Sequence, residues 1–236
     1  MNIKNSVAFV TGANRGLGRA FVQALLAAGA RKVYAAARDP SGISGSPSRL
    51  IPVRLDVTNP SEVAAAAKLA ADADIVINNA GILRSAPLVN DTDFDVRAEM
   101  DTNFFGTLAV SRAFAPVLKA NGGGALVNVL SVLSWVNLPG TALYSASKAA
   151  AWSLTNALRQ ELRGQGTQVV ALHVGYMDTD MAKNVQSPKS APLDVVRQVL
   201  DAVEAGRDEV LADAISRQVK AGLTAEPPVY LARSAA

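Results

Sequence analysis

Along this chain, short stretches that are apolar at almost every position alternate with longer stretches in which apolar residues return every third or fourth place. The short runs lie at 7–10, 32–37, 50–55, 75–77, 125–129, 168–174 and 209–212. They predict strands buried on both faces, because a sheet open to water on one side would alternate apolar with polar positions. The longer stretches predict helices. After Gly18, residues Phe21, Val22, Leu25 and Leu26 share one helical face, and Gly29 stands where a helix ends. Residues 60–73 read as an alanine-rich helix, 94–118 and 142–163 as two long helices, the first containing Gly106, and 193–205 as a helix closed by Gly206. This alternation predicts a doubly wound α/β domain: a parallel sheet with helices on both faces, and ligands at the carboxyl ends of the strands where their order reverses. The connection 38–49, rich in Ser, Gly and Pro, is barely long enough for a parallel crossover and predicts at most a rudimentary helix. Neither a repeat nor a low-complexity tract interrupts the pattern, so residues 1–236 are read as one domain.

Composition narrows the possibilities. Half of the 236 residues are hydrophobic, enough for a sizeable core, and the absence of cysteine excludes disulfides and thiolate metal sites. The chain starts directly on a strand without the pattern of a signal peptide, and no apolar run approaches the roughly 20 residues of a spanning helix; a cytoplasmic protein without membrane partners is expected. A net charge of +3, with no dense basic cluster interleaved with aromatics, gives no reason to expect nucleic acid as a partner.

Chemistry gathers at three places. The run Thr11-Gly12-Ala13-Asn14-Arg15-Gly16-Leu17-Gly18 joins a strand to a helix through three glycines, which permit close backbone approach to a phosphate at the helix N-terminus; alone, it also reads as a plain loop. Where the second strand ends, Arg38 with Arg15 offers two guanidinium groups suited to the 2′-phosphate of NADP, whereas Asp39 either binds a ribose or simply turns the loop. Tyr144 and Lys148, at i and i+4, stack a phenol and an ammonium on one helix face. Tyrosine is a poor base at neutral pH, and a neighbouring cation favours its phenolate, although this spacing also arises by chance. His173, the single histidine, reads as a strand-end residue rather than a base, and no metal site is supported.

Taken in order, these features resemble the short-chain dehydrogenase/reductase family over nearly the whole chain. Thr11–Gly18 is similar to the family's cofactor turn, Asp56-Val57 to its adenine contact, and Asn78-Asn79-Ala80-Gly81 to the segment beside the cofactor that steadies the central sheet. Asn103, Ser131, Tyr144 and Lys148 stand in the family's catalytic order. The resemblance implies a Rossmann-type fold in which Tyr144 is the general acid, Ser131 holds the substrate oxygen, Lys148 binds the nicotinamide ribose while lowering the tyrosine pKa, and Asn103 anchors a water. Ser134, the competing serine, has the wrong offset from Tyr144 and reads as pocket lining or a turn residue. Gly175, Met177 and Thr179 resemble the segment that grips the nicotinamide carboxamide, but Val174 stands where the family usually has proline. The shortened link after the second strand is a further departure. Another is a C-terminal stretch without the glycine-ended closing strand of many members, which weakens the case for their usual tetramer.

The resulting expectation is reduction of a ketone or aldehyde by NADPH, reversibly. The rivals are imine reduction, dehydration or epimerisation on the same scaffold, or an NADP-binding sensor without turnover. Leu83, Leu133, Trp135, Leu138, Tyr176 and Met177 are candidates for the wall of an apolar substrate pocket, and residues 182–192 for a cover over it. A homo-oligomer, dimer or tetramer, is expected through the helices 94–118 and 142–163, whose apolar residues Phe104, Phe105, Trp152 and Leu154 fall on more than one face.

Overall fold

A computed structural model describes residues 1–45, 48–84 and 97–231. Seven strands run in chain order: β1 (Val7–Thr11), β2 (Lys32–Ala37), β3 (Leu50–Arg54), β4 (Ile75–Asn78), β5 (Ala125–Val129), β6 (Gln168–His173) and β7 (Glu209–Leu211). They form one sheet in the order β3-β2-β1-β4-β5-β6-β7, parallel at every pairing. Among the described residues six α-helices accompany them: α1 (Gly16–Ala27), α2 (Pro60–Leu69), α3 (Thr107–Ala120), α4 (Ala142–Arg163), α5 (Pro192–Glu204) and α6 (Ala214–Gly222). All five residues of β1 are buried, as a central strand covered on both faces requires. One face packs Ala8, Val10 and Ile77 against Phe21 and Leu25 of α1 and Val195 and Val199 of α5. The other packs Phe9 and Val76 against α2, α3 and α4, with the rings of Phe9 and Phe114 at 4.5 Å. Chain order reverses between β1 and β4, so the crevice at their carboxyl ends is where a doubly wound sheet takes its ligand.

The doubly wound α/β fold matches the sequence expectation, with differences at the ends and in one helix. α2 stops at Leu69 rather than at 73, because the chain must turn into β4; the Ala73 amide bonds back to the Ala70 carbonyl. The link 38–49 carries no helix among its described residues, yet β2 and β3 still pair in parallel. The start of the helix expected over 94–118 lies outside the described residues. Before α3, Met100–Gly106 winds as a π-helix, which places one more residue in each turn than an α-helix does. Its geometry is supported from α3: the Thr107 hydroxyl donates to the Asn103 carbonyl at 2.9 Å, and the Ser111 hydroxyl to the Thr107 carbonyl at 2.7 Å. Gly106 is needed there, since a methyl group would lie 2.6 Å from Cγ2 of Val57.

A buried polar chain locks the elements that carry the site. Asn78 and Asn128 face each other across β4 and β5; Asn78 Nδ2 donates to Asn128 Oδ1 (2.8 Å) and to Ser111 Oγ of α3 (3.0 Å). Asn128 Nδ2 donates in turn to Thr155 Oγ1 of α4 at 2.9 Å. Removing one partner would leave a buried donor unpaired, at about 1–3 kcal/mol.

Candidate active site

The glycine turn is held open by the sheet itself. Thr11, fully buried, donates its hydroxyl hydrogen to the Ile77 carbonyl and accepts from the amides of Asn79 and Ala80 at 2.9 Å each. Asn79 Nδ2 returns two bonds, to the carbonyls of Thr11 (2.8 Å) and Gly12 (3.1 Å). Thr11 and Asn79 thus form the frame of the turn, bonded to each other and to the backbone on either side. Gly12 adopts φ +64°, and a Cβ on Gly18 would collide with the Gly12 carbonyl. Leu17 points into the core behind α1, so only its backbone belongs to the turn. The N-terminus of α1 has neither a capping side chain nor an acidic residue in its first turn. Its N–H groups and positive dipole end are therefore left for an anion, and the closely packed glycines let one approach: the cradle fits the pyrophosphate of a dinucleotide.

Of the two arginines expected to meet at the cofactor's ribose, Arg15 is paired elsewhere. Arg15 Nη1 lies 3.1 Å from Asp180 Oδ2, on the segment after β6. Both groups are exposed, so the pair is weak and exchangeable. At the ends of β2 and β3 the neighbour of Arg38 is instead Arg54, which the sequence reading passed over; its Nη1 donates to the Arg38 carbonyl at 3.0 Å. Asp39 turns the loop, accepting from the Ser41 amide at 3.0 Å. Against the opposing effect of burial, its bonds from Thr58 and the charges of Arg38 and Arg54 hold Asp56 below the usual carboxylate range. Val57, next to it, is buried against Gly106.

Ser131 leaves the end of β5, and Tyr144 and Lys148 project from the first turns of α4; all three are buried. Burial, with the charge of Glu99 adding to it, pushes Tyr144 up to about 12, against the opposing effect of the neighbouring Ser131 hydroxyl. The net shift is thus upward, against the expected lowering, because burial outweighs the neighbouring polar groups. The same desolvation brings Lys148 down to about 8, and its ammonium donates to the Val129 carbonyl at 2.8 Å, with Nζ 5.7 Å from the centre of the tyrosine ring. Ser134 is a turn residue: its hydroxyl accepts from the Ser131 amide at 3.3 Å.

Asn103, from the π-helical turn, is fully engaged as a brace. Its Oδ1 accepts from the Ile82 amide and its Nδ2 donates to the Ile82 carbonyl and to Ser147 Oγ, each at 2.9 Å. A methyl group on Gly81 would sit 3.1 Å from Asn103 Oδ1 and 3.7 Å from Lys148 Nζ, so these groups converge there. One turn earlier Glu99, fully buried, accepts from the Arg84 amide at 2.7 Å; burial raises its pKa, and its Oε2 has no hydrogen-bond partner among the described residues. Nothing in the sequence marks this acid as buried.

After β6, the Gly175 amide donates to Asp213 Oδ2 at 2.7 Å, while Cγ2 of Thr179 lies near Gly16. Met177 packs on the core and bridges to Ser190, so the far end of the expected cover is tied down. Among the expected wall residues, Leu83, Leu133 and Trp135 cluster with Tyr144, joined by Val219 and Val229 from the C-terminal region, whereas Leu138 and Tyr176 are exposed. Phe105 is exposed on the outer surface, while Leu154 packs inward.

The family model described as short chain dehydrogenase matches residues 6–190. The chain belongs to that family. It is 32% identical over 192 residues to a 3-oxoacyl-[acyl-carrier-protein] reductase of Synechocystis, covering 77% of this chain and 78% of the relative. A 3-oxoacyl-[acyl-carrier-protein] reductase of Vibrio cholerae is 33% identical, with 78% of each chain covered. Among solved structures, a short chain dehydrogenase from Burkholderia cenocepacia, in complex with NADP, is 46% identical, with 96% of each chain covered and a TM-score of 0.92. This protein is therefore a short-chain dehydrogenase, an oxidoreductase with a Rossmann-like fold. Among its described residues no helix is long and apolar enough to cross a membrane.

Proposed function

We propose that this short-chain dehydrogenase is an NADPH-dependent reductase of small ketones or aldehydes, with Ser131, Tyr144 and Lys148 acting on the reacting groups. The observation that carries the reading is the burial of Ser131, Tyr144 and Lys148, with Lys148 Nζ 5.7 Å from the centre of the tyrosine ring; that burial keeps the phenol protonated at neutral pH. Bound NADPH supplies the hydride. Tyr144 hydrogen-bonds the carbonyl oxygen and gives it a proton, Ser131 donates a second hydrogen bond to that oxygen, and Lys148 stabilises the phenolate left behind. Asn103 and Glu99 hold the floor of the site through the amides of Ile82 and Arg84. The bare N-terminus of α1 takes the pyrophosphate. Arg38 with Arg54, and Arg15 once it leaves Asp180, take the 2′-phosphate. The 46% identical NADP complex supports NADP over NAD. The cluster of Leu83, Leu133 and Trp135 with Tyr144 favours a substrate with an apolar group beside the carbonyl.

The test is oxidation of NADPH over a panel of carbonyl compounds, followed by Tyr144→Phe. The variant should lose 10²–10⁴-fold in turnover while binding NADPH within a few fold. More than a tenth of wild-type turnover would refute the role of Tyr144. Self-association through the face carrying Phe105 belongs to the same reading, and a monomer mass by light scattering at micromolar concentration would refute that part.

A further inference from the structure

Among the described residues, the imidazole of His173 is a buried titratable group that the proposed chemistry does not use. Its ring is 0% exposed and stacks on Trp135 with ring centres 3.8 Å apart and planes 20° from parallel. Nδ1 lies 3.1 Å from the carbonyl oxygen of Ser131, and Nε2 has no hydrogen-bond partner. A carbonyl only accepts, so Nδ1 carries the hydrogen and Nε2 the lone pair. The charged groups facing the ring are Glu209 of β7, with Oε1 3.9 Å from Nε2 and too far for a bond, Lys220 of α6, which holds that oxygen at 2.8 Å, and Arg159 of α4.

Ser131 depends on such a partner. The ladder bonds on either side, Leu130 amide to Leu172 carbonyl and Val132 amide to Val174 carbonyl, hold its neighbours. Its own amide goes to the Ser134 hydroxyl and its carbonyl to the Ser134 amide, both within the short turn that follows. The bond from Nδ1 joins the Ser131 peptide to the rigid sheet. An apolar ring would fill the space under Trp135 without burying an unpaired nitrogen, which costs free energy; what the imidazole adds is the Nδ1–H.

We propose that His173 is a positioning residue for Ser131, gripping its carbonyl from β6 and so fixing where the serine hydroxyl meets the substrate oxygen. This rests on the carbonyl-reductase reading. A displacement of about 1 Å at a reacting group costs up to a hundredfold in rate, and loss of one of two carbonyl bonds should cost about tenfold.

Two variants separate the hydrogen bond from the stack. His173→Phe keeps a ring under Trp135 and loses the donor; His173→Asn keeps an N–H one atom beyond Cγ and loses the ring. With NADPH and a carbonyl substrate, Phe should lower kcat about tenfold with the Kd for NADPH within twofold, and Asn should restore kcat to within threefold of wild type. In a Ser131→Ala background His173→Phe should cost less than twofold more. A Phe variant as fast as wild type, an Asn variant as slow as Phe at equal Tm, or an undiminished loss in the Ser131→Ala background would each overturn the proposal. Because the chain has a single histidine, nitrogen NMR reads its ring without ambiguity and independently of turnover. Should wild type reduce no carbonyl, the functional reading falls, and the spectrum decides the grip: a neutral ring protonated at Nδ1 supports it, one protonated at Nε2 overturns it.

Discussion

Acidification below about pH 6.5 should destabilise this protein through His173. Burial, with Lys220 and Arg159 adding to it, pushes the imidazole from 6.5 down to about 4, against the pull of the Ser131 carbonyl and Glu209. The folded chain thus refuses a proton that the unfolded chain takes up. This contribution is fully present above pH 6.5 and is lost as pH falls to about 4, because the unfolded state binds more protons throughout that window. The gap corresponds to about 3 kcal/mol, a sizeable part of the 5–15 kcal/mol typical of a domain. Asp74 and Glu99, whose pKa values are raised by burial, act in the opposite sense as they take up protons in the folded state. The assay must therefore be a difference: urea unfolding of wild type and His173→Asn at several values from pH 7.5 to 4. All other groups cancel, and the wild type should lose about 3 kcal/mol more than the variant. Parallel curves would show that the imidazole is not buried neutral, and would remove the tautomer argument with it.

Gly18→Ala would drive a methyl group into the Gly12 carbonyl and to 2.6 Å from Asn79 Nδ2; a loss of about 3 kcal/mol or more and of NADPH binding is expected, by urea titration and fluorescence, with the unobstructed Gly42→Ala as neutral control. Arg38→Ala should lower the NADPH-to-NADH ratio of kcat/KM about ten- to hundredfold, from a charge-assisted bond of about 1.5–3 kcal/mol, while leaving NADH unchanged.

Where the sequence was legible, local chemistry set the answer. β2, β5 and α4 fall on the residues their patterns predict: Arg31 and Arg38 flank β2, Gly124 precedes β5, and Thr141 and Gly164 bound α4. Gly29 and Gly206 close their helices with φ of +88° and +69°, the conformation that selects glycine there. The π-helical turn escaped because a period of 3.6 does not reveal one extra residue, and α6 because it is short, though Asp213 caps it by accepting from the Ser216 amide. The partners of Arg15, Glu99 and His173 were out of reach for a different reason. Asp180 is 165 residues from Arg15 and Ser131 is 42 from His173, and no periodicity encodes a contact between elements that meet only after the sheet is assembled. Ser131, Tyr144 and Lys148 were singled out through the family resemblance that their order carries; the direction in which burial moves the tyrosine was not legible, since desolvation is a property of the packed site.

That direction has a consequence for the pH profile. A phenol pushed up to about 12 stays protonated through the neutral range, so under the proposed mechanism the acid for carbonyl reduction is present from pH 6 to 8. What changes over the accessible range is Lys148, which burial places at about 8. As pH rises through that value the ammonium loses its charge, and the phenolate forming on Tyr144 loses the cation that stabilises it. Reduction should hence be flat below pH 7.5 and fall above about 8, toward tenfold per pH unit, even though tyrosine itself has not titrated. Lys148→Arg separates the two groups, because a guanidinium keeps its charge throughout. The variant should be slower at every pH, its donor no longer shaped for the Val129 carbonyl, but its rate should stay level to pH 9.5. If the fall remains near pH 8 in the arginine variant, it belongs to some other group, and Lys148 does not supply the charge that makes Tyr144 an acid.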